Sequence, residues 1–219
     1  MRRRLYLMRH AEVSYVDETG APVNPERVAL TARGREQAEA ARLALAEVEL
    51  DLVVASGLPR TVETAGLVAP GHEVEGWPEL SEWRGGRLDA IPPEELEQAF
   101  VGALRVSDEA ARFLGGESLG EALDRVHPAF DRLLARDWDT ALAVLHGGVN
   151  RIVLSYALTG ARTYFGSFEQ APGCINVLDF GHDGWIVRIV NYVPYDPLHP
   201  ARETTMEHLW EQLRGYLHL

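Results

Sequence analysis

Lysine is absent from the 219 residues, and cysteine occurs once. The single Cys174 excludes an internal disulfide, and its apolar neighbours favour a packed thiol in a reducing compartment. No window approaches the roughly 18 unbroken apolar residues of a membrane span. Arg2, Arg3 and Arg4 lead straight into a strand pattern and not into a signal-peptide core, so a cytoplasmic location is expected. Neither His-x-x-x-His nor Cys-x-x-Cys spacing occurs, so no metal site is expected. The net charge is −12, from 21 basic and 33 acidic residues. Counterion release on nucleic acid or an anionic membrane needs clustered positive charge, so neither partner is expected.

A chain that is 46% hydrophobic can bury a full core as one domain over 1–219, with inserted pieces. Residues 3–8 form an apolar strand that stops at Arg9-His10. Residues 11–30 lack periodicity and form a long loop, either a substrate lid or an ordinary surface excursion. Thr31 caps a helix over about 32–47, and 51–55 is a second strand. Pro59 then starts another helix, which puts Arg60 at the same sheet edge as His10.

A short strand at 73–76 leads to Leu80-Ser81-Glu82-Trp83-Arg84-Gly85-Gly86, too glycine-rich for a regular element. Helices follow over about 92–103 and 108–114. Ser118 with Glu121 has the form of a capping box for a helix towards 136, with a kink or a late start at Pro128. The most apolar strand, 141–145, ends in His146-Gly147-Gly148 before a helix over 149–158. Strands at 174–180 and 185–190 flank Gly181-His182-Asp183-Gly184, a hairpin signal, and Thr204 with Glu207 caps a final helix to about 217. The pattern predicts an α/β protein. Its expected form is a three-layer α/β/α sandwich on a mostly parallel sheet of about five or six strands, with an antiparallel edge. Insertions near 11–30 and 84–117 should crown the carboxyl edge.

Three strands therefore end in chemically loaded residues, and parallel neighbours bring their carboxyl ends together. His10 has the proton affinity of a nucleophile near neutral pH, and adjacent arginines favour an anionic electrophile such as a phosphoryl group. The bland alternative is a strand-end charge beside a half-buried histidine. A divalent cation about 4 Å from a guanidinium would meet repulsion of several kcal/mol at an effective dielectric near 20, so metal-independent chemistry without a cofactor is expected.

The ordered motifs resemble the histidine phosphatase superfamily, the phosphoglycerate mutase-like branch 1. They are Arg9-His10-Ala11-Glu12, Leu30-Thr31-Ala32-Arg33-Gly34 with Gln37-Ala38, and Ser56 to Arg60 with Thr64-Ala65. Leu80-Ser81-Glu82, Gly116-Glu117-Ser118 with Arg125-Val126, and His146-Gly147-Gly148 with Arg151 continue the set. The resemblance implies that His10 becomes phosphorylated. It also implies that Arg9, Arg60 and His146 bind the phosphoryl oxygens and that Glu82 gives the leaving group its proton. A departing alkoxide needs such a proton, and a carboxyl can supply it. The alternative is that Glu82 merely pairs with Arg84 or Arg87; Glu12 is the next candidate acid. His10 must present a bare nitrogen, so its other nitrogen should donate to a carbonyl.

Ala11 stands where a glycine is usual, and Val13 where threonine or serine is common. Ser14-Tyr15-Val16 and Asn24-Pro25-Glu26-Arg27 replace the Trp-Asn pair and Gly-Trp motif of mutase relatives. A phosphatase on small phosphomonoesters is expected, as a monomer or homodimer. A mutase-type phosphotransferase and a catalytically silent phosphate-binding module are the alternatives. Gly147, Tyr15 and Arg87, with Arg27 and Asn176, are the expected substrate-pocket residues.

Overall fold

The computed structural model describes residues 2–19, 21, 23–86, 91–105, 107–198 and 201–217. In chain order its elements begin with β1 (Arg3–Arg9), α1 (Ala32–Ala44), β2 (Leu52–Ala55), α2 (Pro59–Val68) and β3 (Val74–Gly76). Then come α3 (Leu96–Val101), α4 (Leu119–Leu134), β4 (Thr140–Leu145) and α5 (Gly147–Thr159). The chain closes with β5 (Ile175–Gly181), β6 (Gly184–Tyr192) and α6 (Thr205–Leu217).

The six strands form one sheet in the order β3-β2-β4-β1-β5-β6. β1, β2, β3 and β4 are mutually parallel, whereas β5 runs antiparallel to both β1 and β6. Successive strand side chains point to opposite faces, and the burial follows. Leu5, Leu7, Leu52, Val54, Ala141, Ala143 and Leu145 join a core with α4 and α5. Met8, Val53, Ala55, Leu142 and Val144 join a second core with α1 and α2. Two apolar layers thus sandwich the sheet, as expected for α/β/α architecture.

The capping boxes form at both expected places. Ser118 and Glu121 bond reciprocally at the start of α4, and Thr204 and Glu207 do so before α6. α4 starts at Leu119 and continues through Pro128. Pro128 lies on the exposed side, and the buried stripe of Leu119, Leu123, Val126, Phe130 and Leu133 outweighs the hydrogen bond it removes.

The helix expected at 108–114 does not form. A turn at Asp108 leads to a 3-10 turn at Phe113–Gly115, where Leu114 has φ 48°. Backbone is packed on backbone here: a Cβ on Gly86 would lie 2.6 Å from the Leu114 carbonyl oxygen, and one on Gly116 2.4 Å from that of Arg84. The helix expected over 92–103 is shorter, a 3-10 turn at Pro93–Glu95 followed by α3. Among the described residues no helix is long and apolar enough to cross a membrane.

Candidate active site

β2, β4 and β1 are adjacent and parallel, so Ser56, His146 and His10 follow neighbouring strand ends. The His10 amide donates to the Leu145 carbonyl at 3.0 Å, tying two of these ends together. Both imidazoles are buried, with ring centroids 5.3 Å apart and planes at 66°. Nδ1 of His10 lies 2.7 Å from the Ala11 carbonyl oxygen. A carbonyl only accepts, so Nδ1 carries the hydrogen and Nε2 keeps its lone pair.

Burial, and then the charges of Arg9 and Arg60, hold the His10 pKa well below the ordinary imidazole value. His146 is lowered likewise, by burial first and then by Arg60, His10 and Arg9. Its Nε2 lies 2.8 Å from Ser56 Oγ, which lies 3.0 Å from Thr61 Oγ1. The Thr61 hydroxyl directs its hydrogen to the Leu58 carbonyl at 2.8 Å, fixing the near end of α2 under His146.

Arg9 ends β1, and Arg60 is the second residue of α2. Nη1 of Arg9 donates to the Gln170 carbonyl at 2.6 Å and to Thr205 Oγ1 at 2.7 Å. Nη1 of Arg60 donates to the Pro25 carbonyl at 2.6 Å, within the loop before α1. Among the described residues no carboxylate pairs with either guanidinium, so neither charge is neutralised. The Nε atoms of both arginines and Nδ1 of His146 are buried without a partner among the described residues. A Cβ on Gly147 would lie 3.2 Å from Arg151 Nη1 and 3.6 Å from Arg9 Nε, so a side chain there would press first on Arg151.

The carboxylate of Glu82 accepts the Trp83 amide at 2.9 Å and the Gly148 amide at 3.1 and 3.2 Å. It therefore sits at the positive end of α5, two residues after His146. Among the described residues Glu82 forms no ion pair, and Arg84 is exposed. Arg87, the other basic residue considered for Glu82 and for the substrate pocket, lies outside the described residues. The Glu82 loop is held by Arg125, whose Nη1 donates to the carbonyls of Glu79 and Ser81 at 2.7 and 2.8 Å. Glu117 grips Arg125 through Nε and Nη2 at 2.9 and 2.7 Å.

Glu12 has other work: it accepts the Thr31 hydroxyl at 2.9 Å and lies 3.6 Å from Arg33. Ala11 lies outside the left-handed region, since Leu114 and Asn191 alone among described non-glycine residues have positive φ. Its methyl joins the α1/α2 core, as does Val13. Tyr15 packs against that same core, and no hydrogen bond or ring contact joins its side chain to either imidazole.

Asn176 is not a pocket wall. It is fully buried, and its amide donates to the carbonyl of Leu7 and to Gln170 Oε1, each at 2.8 Å. Its Oδ1 accepts the Asn191 amide at 2.9 Å. This buried amide network supports the strand ends and the Gln170 carbonyl that holds Arg9. Lone amides carry no motif, so only burial reveals them.

The model of the histidine phosphatase superfamily (branch 1) matches residues 5–193. The chain belongs to that superfamily. An acid phosphatase from Mycobacterium tuberculosis is 30% identical over 82% of this chain and 87% of its own length. A protein from Triticum aestivum named 2-carboxy-D-arabinitol-1-phosphatase is 24% identical over 81% of this chain, which spans 37% of that plant relative. The chain likewise spans 43% of an Arabidopsis thaliana relative. The crystal structure of the alpha-ribazole phosphatase from Shigella flexneri superposes with a TM-score of 0.68 at 26% identity, covering 86% of this chain and 96% of that one. The sandwich and its mixed sheet are thus those of this superfamily.

Proposed function

We propose that the protein is a metal-independent phosphomonoesterase that acts on small phosphorylated metabolites through a phosphohistidine on His10. The observation that carries this reading is that three of the buried polar atoms without partners among the described residues, Nε of Arg9, Nε of Arg60 and Nδ1 of His146, belong to this one site. A buried polar atom left unpaired is costly, and two unneutralised guanidiniums beside a neutral imidazole suit an anion that the imidazole can attack.

In the first step Nε2 of His10 attacks phosphorus, the P–O bond to the leaving group breaks, and Glu82 protonates the departing oxygen. Arg9, Arg60 and His146 hold the equatorial oxygens, where fixed donors stabilise the spread charge without reorganising. In the second step Glu82 takes a proton from water, whose oxygen attacks phosphorus as the P–N bond breaks. Free phosphate and neutral His10 result. Two of the relatives are named for small phosphorylated metabolites, which supports that substrate class.

Brief reaction with a labelled phosphodonor, followed by alkaline quenching, tests the reading because phosphohistidine survives base. The expected result is a base-stable label and phosphate release across a panel of metabolite phosphates, both lost in His10→Ala and both unaffected by chelator. No label and no release from any donor would leave a phosphate-binding module. Isomer exchange of 3-phosphoglycerate with a trace of bisphosphate, in place of free phosphate, would indicate a mutase.

A further inference from the structure

We infer that Thr205, the first residue of α6, is a positioning residue for Arg9, so that the C-terminal helix is part of the phosphate clamp. The inference rests on the role given to Arg9 above. Thr205 Oγ1 accepts from Arg9 Nη1 at 2.7 Å and donates to Glu169 Oε1 at 3.0 Å. The Thr205 amide donates to the same oxygen at 3.2 Å. The other oxygen of Glu169 lies 3.3 Å from Arg151 Nη2, and Arg151 Nη1 donates to the Gly147 carbonyl at 3.0 Å. A continuous chain of hydrogen bonds thus runs from Arg9 through α6 to the first turn of α5.

The hydroxyl does what a carboxylate in its place could not. A carboxylate against Arg9 would orient the guanidinium but also neutralise it and compete with the phosphoryl group for its donors. The hydroxyl orients Nη1 and passes its own hydrogen to Glu169, keeping the negative charge one group away. α6 is also held independently of this contact. Trp210 and Leu213 pack with Leu96 of α3, the rings of Phe100 and Trp210 lie 6.1 Å apart, and Met206 reaches the main core. With the Thr204–Glu207 cap, these contacts set Thr205 in place before any substrate arrives.

The test compares full-length wild type with Thr205→Val, which keeps the shape and loses the hydroxyl, and with Thr205→Ser, which restores it. Thr205→Ala serves the same comparison if the valine disturbs the start of the helix. Inorganic phosphate binding is measured by calorimetry, and kcat and KM on the best donor. A hydrogen bond to a charged group is strong enough that Val should weaken phosphate binding about tenfold and raise KM, with Ser close to wild type. A merely structural role would lower kcat through loss of folded protein and leave KM and phosphate affinity unmoved.

Equal phosphate affinity in Val and wild type, or Ser as weak as Val, overturns the inference. Phosphate titration needs no turnover. If the wild type hydrolyses nothing, the phosphatase reading falls, while a Val-specific loss of phosphate affinity still supports the Thr205–Arg9 link. No phosphate binding and no hydrolysis by the wild type would together overturn both.

Discussion

The Gly148 amide nitrogen lies 3.1 and 3.2 Å from the two carboxylate oxygens of Glu82, and a Cβ on residue 148 would stand 2.7 Å from Oε1. The obstructing atom is the end of a flexible side chain, so Gly148→Ala should displace Glu82 without straining backbone. Alanine also favours a helix over glycine by about 0.5–1 kcal/mol. The expected outcome is a melting temperature equal to or above wild type, with kcat reduced at least about tenfold through misplacement of the acid. Glu82→Gln should cost about 10²–10⁴ in kcat. Steady-state kinetics beside thermal melts checks both; full activity in Gly148→Ala would contradict the assignment of Glu82.

Gly34 and Gly66 differ in what surrounds them. A Cβ on Gly34 would lie 2.2 Å from the Glu12 carbonyl oxygen, whereas none lies within 4 Å of one on Gly66. Backbone cannot step aside as a side-chain tip can, so Gly34→Ala should destabilise by about 1–3 kcal/mol. Gly66→Ala in α2 should instead stabilise by about 0.5–1 kcal/mol. Denaturant unfolding of the pair checks the sign of each.

His10 and His146 should both titrate well below the ordinary imidazole value of 6.5, burial being the first cause in each. The unfolded chain takes up these protons near pH 6.5, and the folded one does not. The stability attached to the neutral rings is therefore complete above about pH 6.5 and falls as the pH drops from there towards the lower folded values. NMR titration of the assigned imidazole protons should give midpoints below 6.5 for both. A midpoint at or above that value for His10 would remove the argument that its Nε2 is bare in mildly acidic solution.

β1, β2 and β4 were legible because their buried residues form unbroken apolar runs, and each ends in a residue that no core would choose. The convergence of His10, His146, Arg9 and Arg60 followed from parallel pairing. What holds the guanidiniums was not legible. Gln170 and Pro25 contribute carbonyls that every residue type possesses, and Thr205 is one hydroxyl far along the chain. Residues 108–114 misled in the same way, since Gly86 and Gly116 serve a backbone contact across the fold that no local pattern announces. Asn176 looked like a pocket residue because a polar side chain in a strand suggests a ligand; its partners are other buried amides.

Among the described residues Glu117 and Arg125 form the most enclosed ion pair near the site, with side chains 9% and 13% exposed. Burial raises the Glu117 pKa, but the Arg125 hydrogen bonds and the Arg84 amide outweigh it and hold the carboxyl below its usual value. That stability is present above about pH 4.5 and lost as the pH falls through the lower folded value. Arg125→Met would strand the Glu117 carboxylate and release the Glu79 and Ser81 carbonyls that shape the Glu82 loop. Removing one partner of a buried pair costs about 3–5 kcal/mol, less here because both ends touch water. The expected variant melts several degrees lower and has a reduced kcat, with phosphate affinity near wild type because Arg9, Arg60 and His146 keep their own partners. Adding Glu117→Leu removes the stranded charge and should recover much of the melting temperature without restoring kcat. Recovery of both together would mean that the pair supports the fold and leaves Glu82 unmoved.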